Sequence, residues 1–448
     1  MLPTLNDTAA ALHEGRSSSA ELTESALARA QDPAGEGARV YTRLYAQQAR
    51  AAAQASDTLR AAGLSRSPID GLPISIKDLF DVAGETTLAG SVARQGEPAA
   101  DEHAVVVQRL LAAGAVIIGR TNMVEFAYSG LGINPHYGTP LNPWDRASAR
   151  IPGGSSSGAA VSVTDGMALG AIGSDTGGSV RIPAALCGLA GFKPSAWRVS
   201  MAGVLPLSTS LDSIGPLAPT VRCCATLDAI LAGDEVADWQ PAMLEGLRLA
   251  VPTTLALDGV DEHVGRSFSA ALSRLSEAGA RIDEIEVPEF AQLAAINAKG
   301  GFTASEAWAW HRDLIARAAD RYDPRVVSRI RRGAEMSAAD YLDLLDAREA
   351  WVAAVEHRIA AYDAVLMPTV PVVAPKVADL AASDDAYYAA NGLILRNPTF
   401  INFLDGCAVS VPCHEPGTAP AGLMIAGANG ADRRILSIGM AVEDLLQL

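Results

Sequence analysis

Lysine is the scarcest charged residue of this 448-residue chain, with four copies against 31 arginines. In an alanine-rich sequence where arginine is the default cation, Lys77, Lys193, Lys299 and Lys376 mark positions where lysine itself is a candidate for function. A desolvated lysine gives up its proton, and an arginine does not. Cysteine is sparse too. Cys187, Cys223, Cys224, Cys407 and Cys413 are odd in number and lack paired spacing, which argues against a disulfide framework and fits a reducing compartment. No histidine stands at ligand spacing from Cys223-Cys224, and the seven histidines contain no His-x-x-x-His pair, so no metal site is expected. No apolar run approaches the roughly 20 residues a membrane helix needs. Met1-Leu-Pro-Thr-Leu-Asn-Asp7 lacks the basic-then-apolar pattern of a secretion signal. The expected location is the cytoplasm, without a membrane partner. A basic excess is also missing: the formal net charge is −16. Nonspecific binding to nucleic acid or anionic membrane needs a basic surface, so both are disfavoured. The charge of a substrate stays open, because a site a few residues wide can differ from the whole.

What is present is a core-forming chain. Hydrophobic residues make up 49%, enough for a sizeable buried interior. Residues 1–63 read as helical: Ser17-Ser-Ser-Ala-Glu-Leu22 caps a helix to about Ala30, and a second helix runs from about Arg43 to Ala62 and stops at Gly63. Residues 64–234 change pattern. Leu72-Pro-Ile-Ser-Ile76 is a short strand ending at Lys77, His103–Ala113 has helical periodicity, and Ala115–Gly119 reads as a buried strand. Alternating helix and strand implies an α/β layer architecture. Residues 125–183 carry few helical signals and many Gly, Pro, Ser and Asn. Residues 235–360 read as a helical peripheral layer, with Arg329–Arg332 as part of a solvated face. Residues 361–448 return to strand-like runs, at Ala364-Val-Leu-Met-Pro-Thr369 and Ala408-Val-Ser-Val-Pro412.

Two glycine-rich stretches carry serines: Gly153-Gly-Ser-Ser-Ser-Gly158 and Gly173-Ser-Asp-Thr-Gly-Gly-Ser-Val-Arg-Ile-Pro183. A serine hydroxyl becomes a nucleophile only when a base takes its proton. His136, in the loop-like Asn134-Pro-His-Tyr-Gly138, is the histidine of this region. It reads as a loop or surface residue, although sequence order alone leaves a Ser-His-Asp triad open. Gly154–Gly158 matches G-x-S-x-G in form, but no strand enters the turn, as a nucleophile elbow requires. Ser-x-x-Lys fails at all four lysines, and neither glycine stretch continues into the Lys-Ser or Lys-Thr of a phosphate loop.

Taken together with Cys187-Gly-Leu-Ala-Gly-Phe-Lys-Pro194, the two stretches resemble the signature of the amidase signature family. Gly71–Gly84, Gly119–Phe126, Leu211–Pro216, Met367–Pro371 and Gly406–Pro412 agree with it. The resemblance spans essentially the whole chain and is weakest over 235–360. It implies a single amidase-signature domain over 1–448, an α/β fold with a twisted mixed β-sheet core surrounded by α-helices. It also implies a Ser–cis-Ser–Lys triad: Ser179 as nucleophile, Ser155 as bridging serine after a cis peptide bond, and Lys77 as base. The Thr176, Gly177, Gly178 and Ser179 amides are then expected to hold an oxyanion. Ala127, Tyr128 and Ser129 are expected to line the acyl pocket, with Asp175, Arg181, Ser156, Ser157 and Lys193 as scaffold. The implied reaction is hydrolysis of a small-molecule amide, or of an ester or carbamate, without a cofactor, by a monomer or homodimer. The alternative is a glutaminase subunit that acts only in a transamidation complex. Over 235–400 no group for the charged ends of an amino acid stands out.

Overall fold

The computed structural model describes residues 2–446; Met1 and residues 447–448, the ends of the expected 1–448 domain, lie outside the described residues. One mixed sheet of eleven strands forms the centre. Its strands are β1 (Tyr41–Leu44), β2 (Pro73–Lys77), β3 (Val116–Thr121), β4 (Gly170–Asp175), β5 (Ala190–Lys193), β6 (Ser213–Ala218), β7 (Arg248–Pro252), β8 (Arg281–Ile285), β9 (Ala364–Pro368), β10 (Cys407–Pro412) and β11 (Gly422–Gly427). Their order across the sheet is β1-β3-β2-β4-β6-β5-β10-β11-β9-β7-β8.

Burial on both faces explains why the central strands read as nearly continuous apolar runs. Along β11, Leu423 and Ile425 join one core cluster, while Met424 and Ala426 join another on the opposite face. β9 divides in the same way, with Leu366 on one side and Val365 and Met367 on the other. This is the period-two alternation of a pleated strand packed between helical layers.

Two expectations about segments need correction. Residues 1–63 are not wholly helical: β1 pairs with β3, so the second helix begins at Ala46 rather than Arg43. Residues 235–360 are not only a helical layer, because β7 and β8 extend the sheet beyond β9 through parallel pairing. The β8 burial pattern is mostly exposed and intermediate, as an edge strand allows, so its sequence lacks the apolar run that marks the central strands. Two short α-helices, Ser157–Thr164 within 125–183 and Arg181–Cys187 at its end, escape a periodicity reading because nearly every residue in them is buried. A helix covered on all sides has no polar stripe.

The fold sets up the site by one adjacency. β2 and β4 are parallel neighbours, with Ile76 opposite Ile172. Their C-terminal ends, Lys77 and Asp175, therefore emerge at the same edge of the sheet, the side where open α/β sheets place ligands.

Candidate active site

Lys77 is fully buried where β2 ends. Its Nζ donates to Ser155 Oγ at 2.7 Å and to Ser174 Oγ at 2.8 Å, with Ser174 O at 3.4 Å. Loss of water lowers the lysine to about 7, against the opposing pull of the Asp175 and Asp212 carboxylates. At neutral pH a substantial share of this amine is uncharged. Ser174 is a partner the sequence reading overlooked; its place two residues after Ile172 on the neighbouring parallel strand is the signal that locates it.

Ser155 follows a cis peptide bond from Gly154. A Cβ on Gly154 would sit 2.6 Å from the Gly132 nitrogen, so the loop closes only with glycine there. The Ser155 carbonyl accepts from Val124 N–H at 3.0 Å, and Gly154 N–H donates to Gly130 O at 2.8 Å.

The second loop is shaped by Asp175. Its Oδ1 accepts from Gly178 N–H at 2.8 Å and its Oδ2 from Val180 N–H at 3.1 Å. Arg181 holds the same carboxylate from the next turn, Nη2 to Oδ1 at 2.8 Å and Nε to Oδ2 at 3.1 Å, with both residues fully buried. Asn402 adds a donor at 2.9 Å. Arg181 and Lys193 hold the Asp175 carboxyl well below the usual carboxylate range, although burial alone would raise it. Gly178 has φ 118°, and a Cβ there would lie 2.5 Å from Pro398 Cβ. The expected set of four oxyanion amides is thereby narrowed: the Gly178 proton is committed to Asp175. Among the described residues the Thr176, Gly177 and Ser179 amides have no acceptor. The Ser179 hydroxyl likewise has no hydrogen-bond partner among them, and Ser155 and Ser179 are not joined hydroxyl to hydroxyl.

Asp212, just before β6, braces this loop from the other side. Thr176 Oγ1 donates to its Oδ1 at 2.5 Å, and Leu207 and Ser208 N–H groups donate to its Oδ2 at 2.9 and 3.0 Å. Burial raises Asp212 to about 7.

Thr176, Gly177 and Ser179 open onto a cavity of about 560 Å³, and Ala127, Tyr128 and Ser129 line it beside them. That volume falls in the small-molecule range of about 300–1,000 Å³. Phe126 and Ala127 take positive φ values of 49° and 60°, uncommon for side-chain-bearing residues. Phe126 is held there by His311 and Tyr322, at ring distances of 4.4 and 5.1 Å. Ser129 Oγ and Gly130 N–H both donate to Asn391 Oδ1, at 2.8 and 2.9 Å. Phe290, Phe302, Phe400 and Phe403 line the cavity too, with Leu207, Leu211 and Leu395 among its aliphatic groups. Arg329, Arg332 and Arg396 also line the cavity. Arg329 and Arg332 were expected on a solvated face; Arg332, in the turn after the helix Pro324–Arg331, is indeed exposed, while Arg329 on that helix is half-buried, and both line the cavity.

The remaining candidates lie elsewhere. His136 Nε2 sits 2.8 Å from Glu125 Oε1, outside the cavity lining. Lys193 Nζ donates to the Pro194 and Gly406 carbonyls at 2.7 and 2.6 Å. All five cysteines are free and buried. Among the described residues no helix is long and apolar enough to cross a membrane, and no group of three or more His, Cys, Asp or Glu is placed to hold a metal.

A family model described as Amidase matches residues 21–436. The chain belongs to the amidase family. It is 37% identical over 402 residues to a 2-amino-5-chloromuconic acid deaminase of Comamonas testosteroni, covering 89% of this chain and 86% of that protein. One subunit of the glutamyl-tRNA(Gln) amidotransferase of Chloroflexus aggregans is 34% identical over 471 residues, covering 97% and 94% of the two chains. Among solved structures, a crystal structure of an amidase superposes with a TM-score of 0.88 at 32% identity and covers 99% of both chains. The eleven-stranded sheet with its surrounding helices is thus the architecture of this family, whose members act on carbon–nitrogen amide bonds.

Proposed function

We propose that this amidase-family chain hydrolyses small-molecule amides through an acyl-enzyme on Ser179. The observation that carries the proposal is the Lys77–Ser155 hydrogen bond: a buried, partly deprotonated amine is linked to a serine directly behind the loop that presents Ser179 to the cavity. In the productive arrangement the neutral Lys77 amine accepts the Ser155 proton, and Ser155 accepts the Ser179 proton as Ser179 Oγ attacks the carbonyl carbon. The oxyanion faces the Thr176, Gly177 and Ser179 amides, each worth about 2.7–4 kcal/mol by analogy with other oxyanion donors. Collapse breaks the C–N bond, and the departing amine takes the relayed proton through Ser155. Water then repeats the sequence on the ester and releases the acid. The same geometry accepts an aryl ester or a carbamate (urethane), since each offers a carbonyl carbon and a leaving group. Free, buried thiols support placement in a reducing cytoplasm.

The relationship to an amidotransferase subunit supports a second reading, a glutaminase that needs partner subunits. The purified chain separates the two. A screen of amides, anilides, esters and carbamates should reveal turnover by the chain alone; glutaminase activity gained only with partners would replace the first reading with the second. Ser179→Ala and Lys77→Ala should each lower kcat by at least about 10⁴-fold while circular dichroism stays unchanged, with Ser155→Ala severely impaired. A fully active Ser179→Ala would remove the mechanism.

A further inference from the structure

Glu306 takes no part in the relay above, yet the structure ties it to the Ser179 loop. It lies on the helix Gly301–Ala318, whose first turn lines the cavity with Phe302, Thr303 and Ala304. Thr303 and Glu306 are three residues apart and share a face of that helix. The half-buried Glu306 carboxylate accepts four hydrogen bonds. Its Oε2 takes Ser208 Oγ at 2.6 Å and the Ser210 N–H at 3.1 Å; its Oε1 takes Ser210 Oγ at 2.5 Å and Tyr341 Oη at 2.7 Å. All four donors are neutral, so shape rather than counter-charge holds this anion. Arg348 reaches the Ser210 carbonyl at 3.3 Å and gives its Nη2 to Asp405 at 2.5 Å.

Three of the four donors come from one short turn, Ser208–Asp212. The Leu211 and Asp212 N–H groups close it on Ser208 O at 3.0 and 2.8 Å. Leu207 and Leu211 of this segment line the cavity, and Asp212 accepts from Thr176 Oγ1. Contacts therefore run without a break from Glu306 through the turn to Asp212, to Thr176, and so to the Thr176 and Gly177 amides that face the cavity. Small displacements matter there, since a misplacement of about 1 Å can cost about 10²-fold in rate.

Charge runs along the same path. The Glu306 charge adds to burial in raising Asp212, and Asp212, together with Asp175, favours the charged form of Lys77. A like charge nearby disfavours ionisation. Glu306 thus lowers the share of Asp212 that is charged, and with it the pull on the lysine proton. Asp212 is faced by Thr176 Oγ1 and the Leu207 and Ser208 amides. Glu306 is faced by the two serines and Tyr341, with Arg348 behind Ser210. Lys77 is faced by Ser155 and Ser174.

We propose that Glu306 is a positioning residue of the acyl-transfer site: it locks the Ser208–Asp212 turn to the helical layer, and so sets both the place of the Thr176 and Gly177 amides and the charge that Lys77 meets. This inference rests on the amide-hydrolase reading above.

Two readouts on the full-length chain test it, and neither needs the natural substrate. The first is the rate at which a small alkyl fluorophosphonate labels Ser179, followed by intact mass. Ser179 Oγ bonds to phosphorus, fluoride leaves, and the proton passes to Ser155 and Lys77. The second is the titration of Lys77 by NMR with carbon-13 at the lysine Cε; four lysines give four signals, and Lys77→Met identifies the one sought. Glu306→Gln keeps the length and removes the charge. It should slow labelling about tenfold and move the Lys77 midpoint up by about half a pH unit. A loss of negative charge acting on Lys77 directly would move it down, so the sign separates the two routes. In an Asp212→Asn background Glu306→Gln should leave the midpoint in place. Ser210→Ala removes a hydroxyl and no charge; it should slow labelling by a smaller factor with the midpoint fixed, and it gives the answer if Glu306→Gln does not fold. Labelling at the parent rate in either variant overturns the proposal. So does a midpoint that stays or falls in Glu306→Gln, or one that rises equally without Asp212. If the parent is not labelled at Ser179 while the Lys77 midpoint responds as expected, the acyl-enzyme reading fails and the coupling stands. If Ser179 is labelled equally fast with and without the Glu306 carboxylate, the acyl-enzyme reading stands and the proposal fails.

Discussion

On the sheet side of the cavity, polar groups are answered by one another. The Asp175 carboxylate takes two backbone amides, Arg181 and Asn402; Lys77 is shared between Ser155 and Ser174; Asp212 holds Thr176 and two further amides. On the helical side, Arg329 and Arg332 reach the same cavity with one acceptor each and no counter-charge among the described residues. The floor spends its hydrogen bonds on geometry, so that three amides and one hydroxyl remain free. The roof leaves two guanidinium groups with one acceptor each. Groups that do chemistry need to be held in place before the substrate comes.

The largest expected effect breaks this contrast if it fails. Asp175→Asn removes one partner of a fully buried ion pair, a change that costs about 3–5 kcal/mol. Arg332→Ala removes an exposed cation without an ion pair and should stay within about 0.5 kcal/mol. Thermal or urea unfolding of the two variants compares them directly. Equal destabilisation would mean that the floor is not more tightly built than the roof.

A second effect concerns pH. The pH dependence of kcat/KM should report on the floor, where Lys77 and Asp212 are shifted toward neutrality. The proposed relay needs neutral Lys77, and its lowered value of about 7 predicts an acid limb with its midpoint near pH 7 and roughly a tenfold loss per unit below it. Asp212 lies close enough to favour the charged lysine. Asp212→Asn should therefore move that midpoint to lower pH, while weakening the anchor on Thr176. A midpoint that stays put in the variant would assign the limb to another group. Since Asp212 itself titrates in this range, the measured midpoint belongs to the pair.

How much of this was legible in the sequence follows the same division. The floor was readable because its constraints fall on local backbone. Glycines at 154 and 178 are required by close approach and a positive φ, and serines flanked by such glycines form a compact motif. β2, β3 and the strands after residue 360 were readable because burial on both faces demands apolar runs. The Gly178 amide was misassigned because the acceptor that takes it, Asp175, is a side chain whose direction a motif does not state. The roof was not readable. Arg329 and Arg332 sit on a charged helix and an adjoining turn whose pattern is that of any solvated face, and only the packing of residues 289–403 over the Ser179 loop brings them to the cavity. β8 was missed for a related reason: an edge strand with Arg281, Asp283 and Glu284 in it carries no apolar signature; β7 is buried, but its apolar run, Leu249-Ala-Val251, is short.

The smallest effect is a difference in slope, and it tests whether Lys77 is held as the floor requires. The unfolded chain keeps this lysine protonated up to its ordinary value of 10.5, while the folded chain releases the proton at about 7. Between those values the unfolded state binds more protons than the folded state, so this residue makes the fold more stable as pH rises. Below pH 7 the cost of burying the cation is present in full and no longer changes. Lys77→Met keeps the length and volume and has no proton to bind. It also loses the hydrogen bonds to Ser155 and Ser174, an offset that does not vary with pH. The melting temperature of the variant minus that of the parent should therefore be highest near pH 6 and fall steadily toward pH 10, whatever its sign at either end. Titrating groups that do not interact with Lys77 cancel in the subtraction, and Asp212, which does, contributes only near pH 7, so the fall from pH 8 to pH 10 belongs to Lys77. A flat difference across that window would mean that Lys77 is an ordinary cation in the folded state, and the base of the proposed relay would have to be sought elsewhere.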